Sequence, residues 1–253
     1  MNVPVKTVTD FARRFSGVTV IGDIHGDLAQ MRHAVAQART RGHGVLFLGD
    51  LINRGPDSLG CMRLAIDLII RGRAEIIPGN HEVRARLIAE NGEMTWKDRD
   101  RSKTLLAELD ADPDGWRLLR AYLDLIADRP LWRTAGNFLF AHGAFPHGLR
   151  ARAPMAFRDY VRGADPLADA AIDGMRGING ECTYTWLDEL PAGFNAVIGH
   201  DPQPAMHIPV TRGGRGGAQL IHLDYGCGRD GGPIGTLEIE SHRLVDAADA
   251  SAA

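Results

Sequence analysis

The chain contains five short apolar runs. Each run is followed by a glycine or histidine, with further polar residues nearby that can bind metal ions. The runs occupy residues 18–21, 44–48, 75–78, 137–141 and 194–198. Continuous apolar runs of this length, bounded by glycine, are typical of strands that are buried on both faces of a sheet. We therefore predict five buried strands at these positions.

Two helical patterns lie between the first three runs. After Asp27, a suitable N-cap, apolar residues recur at positions 28, 31, 34, 35 and 38. After Asp57 and Ser58 the same spacing recurs at 59, 62, 65, 66 and 69, and it ends at Gly72. Residues 18–82 thus predict a β-α-β-α-β unit with parallel strands and right-handed crossovers. In such sheets ligands bind at the carboxyl ends of the strands.

The rest of the chain is less regular. Residues 83–130 are helical in pattern and rich in charge, which favours a solvated helical surface; the alternative is a small helical cap over the site. Residues 219–225 and 233–240 predict a closing hairpin, and the small-residue tail at 246–253 is expected to fray. With no internal repeat and no linker, residues 1–253 are expected to form one domain.

Composition narrows the class of protein. The 253 residues include 29 Lys and Arg against 32 Asp and Glu, a net charge of −3, with 44% hydrophobic and 24% charged residues. This composition is typical of a packed globular protein and argues against binding to a nucleic-acid backbone or an anionic membrane. Three cysteines without a C-x-x-C pair, no membrane-length apolar run and no signal-peptide pattern predict a location in the cytoplasm.

Side chains that can ligate metal ions follow each of the five runs. They are Asp23 and His25 after the first run, Asp50 after the second, Asn80 and His81 after the third, His142 after the fourth and His200 after the fifth. Each of them alone is explained as an ordinary core or turn residue. Together, carboxylate, amide and imidazole groups at neighbouring strand ends suit Mn²⁺, Fe or Zn²⁺, and they exceed what one ion needs. Two ions that share a bridging carboxylate would use them all.

Five sequence blocks carry a resemblance to a known family. GDIHGD (22–27), GDLINRGPDS (49–58), GNHE (79–82), AHG (141–143) and GHDP (199–202) resemble the signature blocks of the phosphoprotein-phosphatase-type, calcineurin-like metallophosphoesterases. That group includes serine/threonine protein phosphatases, phage-type phosphatases and symmetrical diadenosine tetraphosphate hydrolases. The resemblance implies an α/β fold (α+β in some schemes), namely a four-layer α-β-β-α sandwich with a small helical cap at about 83–130.

The resemblance also implies a role for each matched residue. Asp23 and His25 would hold one metal ion, Asp50 would bridge both, and Asn80, His142 and His200 would complete the second site, with Mn²⁺ favoured over Fe or Zn²⁺. His81 would be the general acid, while Arg54 and Asn80 would contact the substrate phosphate. Asn53 stands where protein phosphatases carry an acidic residue that orients the catalytic histidine. Arg176 is a candidate second phosphate-binding arginine, and Tyr225 a candidate lining residue.

The favoured function is hydrolysis of phosphate monoesters by direct attack of metal-bound hydroxide, as in serine/threonine protein phosphatases, with a phosphorylated protein as partner. Two divalent ions and two carboxylates leave about +2 to meet a phosphate dianion. The alternative is a bis(5′-nucleosyl)-tetraphosphatase acting on a dinucleoside polyphosphate, which Asn53 and RGPDSL (54–59) resemble more closely. A non-catalytic scaffold of the same fold is a remote third, since all six ligand positions are present.

Overall fold

Two β-sheets form the centre of the structure, a computed structural model that describes residues 7–91, 96–160, 162–163, 165–202, 210–229 and 231–245. The strands of these residues are β1 (Gly17–Ile21), β2 (Gly44–Phe47), β3 (Ala74–Ile76), β4 (Trp132–Ala135), β5 (Phe138–Ala141), β6 (Asn195–Ile198), β7 (Val210–Gly213), β8 (Gln219–His222) and β9 (Thr236–Glu240). One sheet has the order β3-β2-β1-β9 and the other the order β4-β5-β6-β8-β7. All five predicted strands are confirmed, with ends that move by at most two residues.

Alternation of side chains along the strands explains why the two sheets stack. Val18 and Val20 of β1 share one buried cluster with Phe138 and Phe140 of β5, so this cluster lies between the sheets. Phe47 of β2, like its neighbour Val45, belongs instead to a second cluster that the helices cover. Both faces of β1, β2 and β5 are therefore buried, which is why these strands are largely apolar at successive positions and not only at alternate ones.

Helices cover the outer faces of the sandwich. Among the described residues they are α1 (Val8–Ala12), α2 (Leu28–Thr40), α3 (Ser58–Ile70), α4 (Asn80–Asn91), α5 (Trp96–Arg101), α6 (Lys103–Ala111), α7 (Gly115–Ile126), α8 (Pro166–Asp173) and α9 (Ser241–Leu244). The Asp27 carboxylate caps α2 by accepting from Gln30 N at 3.0 Å, and Asp57 caps α3 by accepting from Gly60 N at 2.7 Å. Because β1, β2 and β3 pair in parallel, the predicted β-α-β-α-β unit is confirmed.

The helical segment at 83–130 is more than a solvated surface. Leu119, Tyr122 and Ile126 on one face of α7 are fully buried in the same cluster as α3. The segment is also attached to the loop that follows β2, since Thr104 Oγ1 accepts from Arg54 N at 2.8 Å. The inner face of this helical surface is therefore part of the core. Its role as a cap, and the single domain over 1–253, stay predictions.

The predicted closing hairpin is wrong. β8 pairs with β6 and β7 in one sheet, whereas β9 pairs antiparallel with β1 in the other. The intervening chain crosses from one sheet to the other: Leu223 N donates to Ile198 O at 2.8 Å, while Gly22 N donates to Gly235 O at 3.0 Å. Strands β8 and β9 both lie within the predicted ranges, but the local sequence does not tell which sheet a strand joins. The tail at 246–253 lies outside the described residues.

The architecture is the expected α/β sandwich of two sheets with helices outside. The carboxyl ends of β1, β2 and β3 lead into Asp23, Asp50 and Asn80, and those of β5 and β6 lead into His142 and His200. Over the part of the chain that is described, no helix has both the length and the apolar character needed to cross a membrane.

Candidate metal centre

Asp50 lies at the middle of the cluster formed by the predicted ligands. Its Oδ2 atom is 3.5 Å from His142 Nε2, 3.8 Å from His81 Nε2 and 3.9 Å from His25 Nε2. Two groups of potential ligands have all their donor atoms within 4.8 Å of one another, and Asp50 belongs to both. One group adds His25 and His81, and the other adds Asp23 and His142. Among the described residues, Asp50 is thus able to offer a ligand atom to both groups.

Several acceptor atoms of this cluster are buried and find no hydrogen-bond partner in the described part of the chain. They are Asp23 Oδ2, His25 Nε2 and Asn80 Oδ1, that is, a carboxylate, an imidazole and an amide oxygen. A buried polar atom left without a partner costs about 1–3 kcal/mol. Divalent cations would satisfy all three atoms at once, and this donor set suits Mn²⁺, Fe or Zn²⁺. The residues present therefore fit a metal centre.

Contacts outside the cluster orient the ligand atoms towards it. His142 Nδ1 lies 2.7 Å from Leu48 O, and His25 Nδ1 lies 3.4 Å from Ile52 O. A carbonyl only accepts, so each Nδ1 carries a proton, and this contact turns each Nε2 towards the cluster. Asn80 Nδ2 donates to Asp173 Oδ1 at 2.9 Å, which leaves Asn80 Oδ1 as the free acceptor.

His200 joins the cluster through His142 and Asp23. Its Nδ1 atom is 3.3 Å from His142 Nε2, and its backbone N donates to Asp23 Oδ1 at 3.0 Å. Arg176 Nη2 lies 3.1 Å from His200 Nε2, and a guanidinium can only donate. In this arrangement His200 therefore carries its proton on Nδ1. It could bind a metal ion through Nδ1 only in the other tautomer, which carries the proton on Nε2. Arg176, the candidate second phosphate-binding arginine, thus contacts a predicted ligand.

Backbone conformation singles out the same residues. Five non-glycine residues of the described chain have positive φ angles: His25, Asp50, Asn53, Arg54 and His200. Residues other than glycine rarely adopt positive φ angles, and those that do are concentrated at functional sites. All five had been selected from the sequence for their chemistry. At these positions, which follow the strands, the backbone therefore has a conformation that a regular strand does not contain.

Burial and neighbouring charges set the protonation of the cluster. Burial, followed by the charge of Asp224, raises the pKa of Asp23 well above its usual range. Burial would raise the pKa of Asp50 too, but His142 and His81 reverse the sign and hold it well below its usual range. Burial by itself would lower the pKa of His142, but the charges of Asp50 and Asp23 raise this pKa to about 10. The centre of the cluster therefore attracts positive charge.

His81 and Asn53 do not form the predicted contact. Both side-chain atoms of Asn53 and the Nδ1 atom of His81 are buried without a hydrogen-bond partner among the described residues. Burial lowers the pKa of His81 well below its usual value, and the opposing effect of Asp50 is smaller. The roles predicted for His81 as an acid and for Asn53 beside it stay predictions. Tyr225, named as a lining residue, is 3% exposed and its hydroxyl has no partner.

Glu82 is a functional residue that the sequence reasoning missed. Its buried carboxylate accepts from Asp50 N at 2.8 Å, Gly79 N at 2.9 Å and Leu51 N at 3.0 Å, and from the Tyr122 hydroxyl at 3.3 Å. Burial, and then the charge of Asp50, raises its pKa. Glu82 had appeared only as the last letter of GNHE. Its position in the first turn of α4, where an acid is favoured, was the available signal.

The part of the chain that contains this site matches known proteins. A family model described as calcineurin-like phosphoesterase matches residues 17–232. A relative from Oceanobacillus iheyensis, the asymmetrical bis(5′-nucleosyl)-tetraphosphatase PrpE, is 30% identical over 223 residues, which cover 83% of this chain and 84% of that protein. A symmetrical bis(5′-nucleosyl)-tetraphosphatase from Methylococcus capsulatus is 31% identical over 71% of this chain and 61% of its own length.

A further symmetrical bis(5′-nucleosyl)-tetraphosphatase, from Ralstonia nicotianae, is 32% identical over 50% of this chain but only 41% of its own length. The chain thus spans about half the length of the symmetrical relatives it matches. Two solved structures share the fold. One is provisionally named a diadenosine tetraphosphatase, with a TM-score of 0.52, 20% identity and coverage of 88% of this chain and 94% of that one. The other is a protein serine/threonine phosphatase from Saccharomyces cerevisiae, with a TM-score of 0.50, 14% identity and coverage of 90% and 80%.

Proposed function

The chain belongs to the calcineurin-like phosphoesterase family, and we propose that it hydrolyses dinucleoside polyphosphates of the bis(5′-nucleosyl)-tetraphosphate type. Membership of the family makes it a hydrolase that acts on phosphate esters and uses divalent metal ions. The finer assignment of substrate depends on one observation. A relative that is 30% identical and matches this chain over most of both lengths is a bis(5′-nucleosyl)-tetraphosphatase.

The proposed metal ligands are the six residues selected from the sequence. Asp23 and His25 would hold one ion, Asn80, His142 and His200 the other, and Asp50 would bridge the two. Unpartnered buried acceptors on Asp23, His25 and Asn80 support this assignment. When bound, the ions would polarise the phosphoryl group and make water a stronger nucleophile at neutral pH. Mixed oxygen and nitrogen ligands fit Mn²⁺, Fe and Zn²⁺, and Mn²⁺ is the ion proposed first.

Protein side chains would bind the phosphate and supply the proton. Arg54 can pair with phosphate oxygens through its planar guanidinium, which forms two parallel hydrogen bonds. His81 is the proposed general acid: it lies beside Asp50, and a proton from its imidazole would go to the oxygen of the departing nucleotide. For a tetraphosphate substrate that oxygen belongs to a phosphate, which is a better leaving group than an alkoxide. Protonation of the leaving oxygen is therefore less necessary for this substrate than for an alkyl phosphate.

Hydrolysis of phosphoprotein monoesters, the function favoured from the sequence, becomes the second candidate. It is supported by the similarity of GNHE and AHG to the blocks of protein phosphatases. The relatives with assigned activity at 30% identity or more favour the polyphosphate, whereas the structural likeness to a protein phosphatase concerns the fold alone. Location in the cytoplasm stays a prediction of the sequence.

A parallel assay separates the two candidates. Protein reconstituted with Mn²⁺ would be given diadenosine tetraphosphate, a phosphoserine peptide, p-nitrophenyl phosphate and a phosphodiester at matched concentrations. We expect the highest kcat/KM on diadenosine tetraphosphate. Chromatography of the products then tells symmetrical cleavage, which gives ADP alone, from asymmetrical cleavage, which gives ATP and AMP. A higher kcat/KM on the phosphopeptide would contradict the proposal.

A further inference from the structure

Two arginines are held on either side of one peptide group at the metal centre. Gly55 N donates to the carbonyl oxygen of His25 at 2.7 Å, and Arg54 directly precedes Gly55. The same carbonyl oxygen lies against Gly228, where an added Cβ would be only 2.2 Å from it. Gly228 has a φ of 67°, and Arg229 directly follows it. Two loops from distant parts of the chain therefore bring Arg54 and Arg229 to the same strand end.

Both guanidinium groups lack a directly paired carboxylate among the described residues. Within the described ranges, Arg54 and Arg229 take part in no side-chain ion pair, and the Nε atom of Arg229 is buried without a hydrogen-bond partner. Asp224 is within electrostatic reach of both, but its Oδ1 accepts from Gly226 N and its Oδ2 has no partner. Two cations held close together without a paired anion repel each other. Burial and then the charge of Arg229 accordingly lower the pKa of Arg54.

The charge of this region exceeds what a phosphomonoester can balance. Two divalent ions opposed by the carboxylates of Asp23 and Asp50 already leave about +2, which matches one phosphoryl dianion. Arg54 adds a further positive charge beside that phosphate, and Arg229 adds another. Even when the carboxylate of Asp224 is counted, positive charge remains for a second anionic group. Polyphosphate chains carry such a group next to the phosphate that is cleaved.

We propose that Arg229 binds the phosphate adjacent to the one that is hydrolysed, and so makes this site selective for polyphosphate chains over phosphomonoesters. The inference rests on the proposed function, because it assigns the polyphosphate part of that substrate to a named side chain. Arg229 lies outside the five sequence blocks that resemble the family, and only the close approach of Gly228 to His25 places it at the site.

The test compares Arg229→Ala with the unchanged protein, both loaded with Mn²⁺. Loss of one bidentate, charge-assisted contact is expected to lower kcat/KM for diadenosine tetraphosphate by about 10- to 100-fold. For p-nitrophenyl phosphate the fall should be much smaller, so the ratio of the two values changes by about 10-fold or more. Arg229→Lys keeps the charge but loses the planar fork, and should lie between the two. Arg215→Ala, a change at an arginine whose side chain is 93% exposed, is the matched control and should leave both values unchanged.

A binding measurement keeps this test separate from the proposed function. Calorimetry would give the Kd of inorganic tripolyphosphate and of orthophosphate for the Mn²⁺-loaded proteins. We expect Arg229→Ala to weaken tripolyphosphate binding by about 10-fold or more and orthophosphate binding far less. Equal losses for both anions, or no loss for either, would overturn the inference. If the protein fails to hydrolyse diadenosine tetraphosphate, the proposed function falls, and the calorimetric comparison alone decides the role of Arg229.

Discussion

Replacement of Glu82 by glutamine tests how the two loops that present the metal ligands are held together. Glu82 Oε2 accepts from Asp50 N and Gly79 N, at 2.8 and 2.9 Å, and so joins the loops that follow β2 and β3. Oε1 accepts from Leu51 N at 3.0 Å and from the Tyr122 hydroxyl at 3.3 Å. The side chain is fully buried, so no water replaces a lost contact.

Glutamine has nearly the same shape but only one acceptor oxygen. In either orientation of the amide, its NH₂ group faces at least one backbone N–H of Asp50, Gly79 or Leu51, so donor meets donor. A hydrogen bond to a charged group contributes about 1.5–3 kcal/mol, and a buried donor without a partner costs about 1–3 kcal/mol. Removal of a buried charge offsets part of this loss. We therefore expect Glu82→Gln to lower the free energy of unfolding by about 2–4 kcal/mol.

Urea unfolding of the metal-free protein measures the stability change, and titration with Mn²⁺ measures the effect on the ligands. Loss of a residue that positions metal ligands typically weakens metal binding by about 10- to 100-fold. Tyr122→Phe is the control, because it removes one contact to Glu82 but none to the ligand loops. It should cost about 1 kcal/mol and leave Mn²⁺ affinity unchanged. Unchanged Mn²⁺ affinity in Glu82→Gln, or an equal loss in Tyr122→Phe, would refute this reasoning.

Three further predictions concern single side chains. Asp50→Asn should bring the Mn²⁺ content, measured by mass spectrometry, below two ions per chain and lower activity by orders of magnitude; two ions with normal turnover would contradict a bridging role. His81→Asn should retain its metals and lower kcat by about 100-fold or more on alkyl phosphates, with a smaller loss on p-nitrophenyl phosphate; loss of metal would instead make His81 a ligand. Burial lowers the pKa of His222 to about 4, so its contribution to stability is complete above its unfolded pKa of about 6.5 and is lost as the pH falls towards 4. Between pH 7 and 5 the unfolding free energy should therefore fall by about 2 kcal/mol more in the natural protein than in His222→Asn, and equal slopes would refute this.

Local patterns were enough for the elements near the start of the chain and for the identity of the candidate ligands. Strands β1 and β2 are short, largely apolar runs because both of their faces are buried, and the periodicity of α2 and α3 follows from packing one face on the sheet. Asp27 and Asp57 cap these helices through contacts only three residues away. Polar residues gather at the carboxyl ends of parallel strands, so the positions of Asp23, Asp50 and Asn80 follow from the strand assignment.

Only the tertiary structure decided what depends on contacts between distant segments. β9 pairs with β1 across more than two hundred residues, and its own sequence is equally compatible with a hairpin to β8. The same holds for single side chains. Glu82 acquires its role from backbone N–H groups at Asp50 and Leu51, about thirty residues away. Arg229 reaches the metal centre because Gly228 packs on His25. Sequence spacing is informative for contacts within a helix or a strand, whereas these contacts are set by how the two sheets and their loops pack together.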